Sequence, residues 1–242
     1  MIVTSAPLRT VLSMMAVQNA EVDCRPSEDG GWELHCIRPD GVTIMKASLH
    51  GDVFPEGTDG TPDEFVIETE RWLKALRSTG ASTEVSFPDG RVTLSGQGLR
   101  HTFRLAAVNA DNRKRFKVPE LGDRLTAECM AEAERISALL ASVDPKRADE
   151  VVFEVSPGGL RVSSFDDAGN GADLTLTPDE CALLDGEASA AFPLEAWSET
   201  VRSLPADTVL DIRLGGDLPV LAEFGDKTFD CTWLCAPRIR QE

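Results

Sequence analysis

Apolar side chains recur along this chain at two periods, and the change from one to the other marks out helices and strands. Ile2 to Thr4 is short and extended in character. After it, Leu8, Val11, Leu12 and Met15 fall at i, i+3, i+4 and i+7, which puts four side chains on one helix face while Arg9 and Thr10 point elsewhere. Val22 to Arg25, Trp32 to Ile37 and Val42 to Leu49 then read as strands, separated by turn-forming residues at 27–31 and 38–41. His50 to Pro62 is a loop rich in Gly, Asp and Pro, and Phe65 to Glu68 resumes a strand. From Thr69 to Gly80, Trp72, Leu73 and Leu76 form an inward stripe, and Arg71, Lys74 and Arg77 recur at every third position on the other side. Glu84 to Phe87, Arg91 to Ser95 and Leu99 to Leu105 follow as strands joined by Gly-containing turns.

The same order of elements returns in the second half. Between the halves, Asn109 to Arg124 has neither period and carries Arg113, Lys114, Arg115 and Lys117, so it reads as a connector. The expected division is an N-terminal domain over 1–108, the connector over 109–124 and a C-terminal domain over 125–242, each domain long enough for its own core. Leu125 to Met130 is strand-like, and Ala133, Ile136, Leu140 and Val143 mark a helix with Arg135 outside. Glu150 to Val155, Leu160 to Phe165 and Ala172 to Leu176 are strands, residues 177–187 a loop, and Ala188 to Phe192 another strand. A last helix begins at Pro193, in the first position that proline tolerates, and buries Leu194, Trp197, Val201 and Leu204 with Arg202 outside. Val209 to Leu214, Pro219 to Phe224 and Thr228 to Leu234 close the chain as strands. The repetition is one of element order and size, without residue-by-residue identity.

Charge narrows the function classes. Twenty-four Lys and Arg against 41 Asp and Glu give a net charge of −17, which taken alone argues against a nucleic-acid binder and suits a salty cytosol. No apolar run approaches a membrane span, and the first residues lack a basic segment followed by an apolar one, so a cytoplasmic location is expected. The cysteines at 24, 36, 129, 181, 231 and 235 form no C-x-x-C pair, and His35, His50 and His101 have no metal-ligand spacing, so neither metal nor cofactor is expected. Cys24 and Cys36 flank a turn and could face each other, but in a cytoplasmic protein they read as small buried residues. Asp166 and Asp167 look like turn chemistry, and nothing in the chain asks to be an active site.

One feature runs against the acidic background. Arg9, Arg71, Lys74, Arg77, Arg135 and Arg202 come from all four predicted helices and lie on their outward faces. Helix spacing alone leaves two readings: scattered surface charge paired with Glu70, Glu134 and Glu199, or one basic stripe on a negative body.

The C-terminal stretch favours the stripe. Residues 217–224 and 235–239, with Asp217, Pro219, Glu223 and Phe224 and then Pro237, Arg238 and Ile239, resemble the closing strands of the proliferating cell nuclear antigen (PCNA) family of DNA sliding clamps. Gly169 to Gly171 is similar to the segment before a subunit-interface strand in that family, and residues 118–121 are similar to its interdomain connector. Order, spacing and total length all fit.

The resemblance implies an α+β clamp fold of two similar domains, with antiparallel sheet outside and helices inside, three copies closing head to tail into a ring. It assigns the six helix cations to a DNA-facing lumen. It gives the subunit interface to Leu99, Arg100, His101, Thr102, Phe103, Arg104 and Leu105, meeting Ala172, Asp173, Leu174, Thr175 and Leu176 of the next copy. It gives a partner-peptide groove to Ile37, Val42, Ile44, Phe116, Val118, Pro119, Leu218, Pro219, Ala236, Pro237 and Ile239. The implied partners are duplex DNA without sequence preference, further copies of the chain, DNA polymerase, a clamp loader and other clients carrying clamp-binding peptides. The basic connector and Gly41, where many clamps carry a larger side chain, depart from the family pattern. Two alternatives stay open: a subunit of a heteromeric or checkpoint-type ring or a monomeric processivity factor, and an enzyme using the acidic loops at 50–62 or 166–171.

Overall fold

In the computed structural model, which describes residues 1–106 and 121–238, a strand runs straight into a helix and on into three strands four times over. β1 (Ile2–Thr4), α1 (Ser5–Ala16), β2 (Glu21–Pro26), β3 (Trp32–Ile37) and β4 (Thr43–Leu49) make the first run. The second is β5 (Phe65–Glu68), α2 (Thr69–Thr79), β6 (Ser82–Ser86), β7 (Arg91–Gly96) and β8 (Leu99–Arg104). The third is β9 (Ala127–Glu132), α3 (Ala133–Ser142), β10 (Glu150–Ser156), β11 (Gly159–Phe165) and β12 (Gly171–Leu176). After the short β13 (Leu184–Gly186), the fourth is β14 (Ala188–Pro193), α4 (Leu194–Ser203), β15 (Val209–Leu214), β16 (Val220–Gly225) and β17 (Phe229–Cys235). The described residues divide into two compact units, one of 1–106 with Gly225–Cys231 and one of 121–224 with 232–238.

Within each unit the runs exchange partners. β1 pairs antiparallel with β6, Ile2 opposite Glu84, and β5 pairs with β2, Ile67 opposite Val22. In the second unit β9 pairs with β15, Ala131 opposite Leu210, and β14 with β10, Phe192 opposite Val151. The strand that enters each helix therefore pairs with the first strand after the other helix of the unit, so neither run completes a sheet alone. The first unit has the strand orders β1-β6-β7-β8 and β4-β3-β2-β5, and the second has β12-β11-β10-β14 and β13-β9-β15-β16, with the residues of β17 divided between the units.

The two helices of a unit lie side by side with their apolar faces inward. In the first unit Trp72 of α2 joins Trp32, Phe54 and Phe65, with ring centroids 4.8 Å apart for Trp32 and Phe54 and 5.2 Å for Trp32 and Phe65. In the second, Trp197 of α4 lies 4.2 Å from Phe153 and 4.8 Å, edge-on, from Trp233. A buried hydroxyl chain ties the helices of the first unit to its sheet: Ser5 Oγ and Thr83 Oγ1 are 2.8 Å apart, and Thr83 Oγ1 and Thr79 Oγ1 2.6 Å. Thr79 donates in turn to the Ala75 carbonyl, so each of these three hydroxyls has a partner.

The structure corrects several local expectations. Residues 177–187 are no plain loop: Thr177 and Glu180 form a capping box around a 3-10 turn at Pro178–Glu180, and β13 pairs with β9. The 50–62 loop begins with a 3-10 turn, Gly51–Val53, and sends Val53 and Phe54 into the core. Val143 follows α3 in extended conformation, and Pro193 is the last residue of β14 and caps α4 from outside. The end of the expected connector is ordered, with Leu121 buried ahead of a 3-10 turn at Gly122–Arg124. Cys24 faces Leu34 and Cys36 faces Met45, so the two thiols are not opposite each other, and all six cysteines are free and buried.

Candidate functional site

Each helix buries one stripe and shows solvent the other, and the charges on those exposed stripes differ between the units. On α2, Trp72, Leu73, Ala75 and Leu76 are buried, which leaves Arg71, Lys74 and Arg77 exposed along one side. Arg71 forms an ion pair with Glu68; among the described residues Lys74 and Arg77 form none. Arg9 sits half-buried on α1, which has no other charged residue. The helices of the first unit therefore carry a net charge of +3.

The second unit is different. On α3, Arg135 donates to Glu180 at 2.8 Å, and the Thr177 backbone N–H, Arg135 and the Thr177 hydroxyl together hold the Glu180 carboxyl down to about 2. Arg202 is exposed on α4, which also carries Glu195 and Glu199. With Glu134 set against Arg135, the helices of this unit sum to −1. The outward cations are thus concentrated on α1 and α2 and are not spread evenly over the four helices.

Two cations escaped the helical pattern. Lys146 and Arg147 are exposed just beyond the C-terminal end of α3, and Arg147 lies 3.6 Å from Asp144. They follow Pro145, where the 3.6-residue period has ended; the signal was the adjacent Lys-Arg pair after a helix, a site where cations also complement the helix dipole.

Two strands end their sheets with six-residue edges. β8 closes β1-β6-β7-β8 and β12 closes β12-β11-β10-β14. Of the residues expected at an interface, Leu99 to Arg104 form β8, Leu105 follows it with its N–H on the Gly90 carbonyl at 3.0 Å, and Ala172 to Leu176 lie in β12. Other sheet ends are short or covered: β1 and β13 have three residues, β5 has four, and β14 receives the Arg238 N–H on the Ala191 carbonyl at 2.7 Å. Gly171 opens β12 where a Cβ would fall 2.0 Å from the Ser164 carbonyl oxygen, so only glycine lets this edge strand approach β11.

The expected groove residues divide between the units. Ile37 and Ile44 face each other across the β3–β4 ladder with Val42 beside the turn, all half-buried. Leu218, Pro219, Ala236 and Pro237 are half-buried in the second unit. Phe116, Val118, Pro119 and Ile239 lie outside the described residues. Arg238, next to Pro237, is fixed by an ion pair with Asp149.

The acidic loops are occupied by their own turns. Asp166 accepts the N–H of Ala168 at 3.0 Å and of Asn170 at 2.8 Å, and these bonds, those from Asn170 first, lower its carboxyl below the usual range. Among the described residues no three His, Cys, Asp or Glu side chains are arranged to hold a metal ion.

No protein-family model matches the chain. It is 24% identical over 250 residues to the DNA polymerase sliding clamp of Natronomonas pharaonis, covering 100% of this chain and 98% of that one. It is 27% identical over 237 residues to the DNA polymerase sliding clamp of Methanococcus maripaludis, covering 89% of each. Among solved structures, A. fulgidus PCNA bound to the C-terminal region of FEN-1 superposes with a TM-score of 0.85 at 20% identity, covering 100% of this chain and 98% of that one. Along its whole length the chain is thus similar to DNA polymerase sliding clamps, and it has the PCNA fold. That fold accounts for the four strand–helix–strand runs and for the two six-residue edges, one in each unit, that are free among the described residues. No helix is long and apolar enough to cross a membrane among the described residues.

Proposed function

We propose that this chain is one subunit of a closed, non-enzymatic ring that encircles duplex DNA and tethers DNA polymerase and other replication and repair proteins to it. The observation that carries the reading is the pair of six-residue edges, β8 in one unit and β12 in the other, that are uncovered among the described residues of a chain that aligns end to end with DNA polymerase sliding clamps. One edge in each unit lets each copy accept one neighbour and donate to the next. Three copies so joined leave no free edge. The domains are those expected from the sequence, joined by the basic connector, and the ring works in the cytoplasm, at the nucleoid in a prokaryote.

The lumen comprises Arg9, Arg71, Lys74, Arg77, Arg135 and Arg202, with the α2 cations making the strongest contacts to phosphate. Such contacts carry no sequence information, so they average along the duplex and permit sliding. Client peptides contact the half-buried apolar positions expected from the sequence, Ile44 in one unit and Pro219 and Pro237 in the other, a role that the FEN-1 segment bound to A. fulgidus PCNA supports.

Light scattering after size exclusion tests the assembly: the expected mass is three times 26.2 kDa. Retention on DNA tests the topology. Loaded protein should stay with nicked circular DNA through a high-salt column and run off when that DNA is linearised; equal loss from both forms would end the reading.

A further inference from the structure

The two free edges carry opposite charge, which the fold itself does not require. The exposed side chains of β8 are Leu99, Arg100, Thr102 and Arg104, and Arg104 stands directly opposite Arg91 of β7. Like charges facing each other across a ladder weaken a sheet. Yet among the described residues no carboxylate forms an ion pair with Arg91, Arg100 or Arg104, in a chain with 41 acidic residues. Glu84, which shares that face of the sheet, takes the hydroxyl of Ser95 at 2.9 Å.

β12 is the mirror case. Its exposed side chains include Asp173 and Thr175, and Asp173, set opposite Ser163, has no cation partner among the described residues. The turn leading into it contributes Asp166 and Asp167. Each edge also exposes one large apolar side chain, Leu99 at 49% on β8 and Phe165 at 43% on β11 opposite Gly171.

Resting on the ring reading above, we propose that edge charge selects which edge meets which: the Arg100/Arg104 edge of one copy takes the Asp173 edge of the next, and like edges reject each other. The occupant is a second copy because β12 matches β8 in length, exposes an apolar residue alongside it and has the complementary sign. A selector is needed. Free backbone groups on β8 could pair with another β8, giving a two-fold dimer that leaves both β12 edges open and cannot close as a ring. Each copy also carries −17, so association as a whole works against repulsion and the local attraction between edges decides the orientation.

The test uses the full chain at fixed ionic strength, with R100E/R104E, D173R and the combined triple variant, each checked for folding by circular dichroism and followed by sedimentation velocity. Reversing one edge sets like charge against like, so each partial variant should weaken assembly at least about 10-fold. The triple variant reverses both edges and should recover assembly to within about threefold of the parent. Partial variants that assemble like the parent overturn the inference, as does a folded triple variant that stays dissociated, which would show that these side chains act by packing and not by sign. A parent chain that is monomeric at micromolar concentration overturns the ring reading and this inference with it; a trimeric parent indifferent to either reversal overturns this inference alone.

Discussion

Replacing Arg71, Lys74 and Arg77 together by Ala tests whether α2 carries the attraction for DNA. The three side chains are exposed, and the helix is held by Trp72, Leu73 and Leu76, so the fold should survive the change. The substitution takes the four helices of a subunit from a net +2 to −1. If one α2 lies on the duplex at a time, three phosphate contacts are lost, and the slope of log affinity against log salt should flatten by about 0.9 for each, roughly 2.7 in all. Between 50 and 200 mM salt the parent should then lose about 40-fold more affinity than the variant. Lys74 and Arg77 should dominate, because Arg71 is already engaged by Glu68. The assay is fluorescence anisotropy on a duplex of random sequence across a salt series, with polymerase stimulation on primed circular DNA beside it. Arg25→Ala is the control, a strand cation tied to Glu33 whose loss should leave the slope unchanged. An α2 variant with the parent's slope and the parent's stimulation refutes the assignment.

His35 should make the fold sensitive to mild acid. Burial first, then Arg25 and Lys46, depress its imidazole to about 4, so the unfolded state binds the extra proton between about pH 6.5 and 4 and stability falls as pH drops through that window. The loss is at most about 3 kcal/mol, and His35→Gln should flatten urea-denaturation stability over the same range. Thr83→Val removes the hydroxyl between Ser5 and Thr79 and should cost about 1–3 kcal/mol, read as a fall in thermal midpoint with DNA-independent assembly retained. Cys129 is fully buried, and burial first, then Cys181 and Asp211, raise its thiol to about 12; alkylation at pH 8 should be absent in the folded protein and complete in denaturant, and labelling under native conditions would contradict the packing.

The helices were legible because their apolar residues repeat at 3.6, and the α2 cations because the same period places them opposite Trp72 and Leu76. Edge strands were placed by order along the chain and by resemblance. What stayed hidden was long-range. The exchange of partners that pairs β1 with β6 and β5 with β2 leaves no trace in local periodicity, since any alternating strand pairs equally well on paper. β13 was lost in a segment read as loop because three residues are too few to show alternation. Phe54 was lost because a Gly-rich loop hides a core residue. Helix spacing also could not show that Arg135 is held by Glu180, a residue 45 positions away, on an element read as loop.

That unevenness bears on how such a ring would hold DNA. With +3 on the helices of one unit and −1 on those of the other, the proposed lumen would attract DNA mainly through the helices of one unit, inside a body of −17. Contacts so sparse are weakened further by salt. Closure must then do what attraction does not: a threaded ring stays on circular DNA while individual contacts form and break. The two sets of variants should separate these roles. Neutralising α2 should slow loading and flatten the salt slope yet leave loaded rings on nicked circles. Reversing the β8 edge should release them from circles and linear DNA alike with the α2 cations intact. Equal retention losses from both variants would mean that attraction and closure are not separable in this protein.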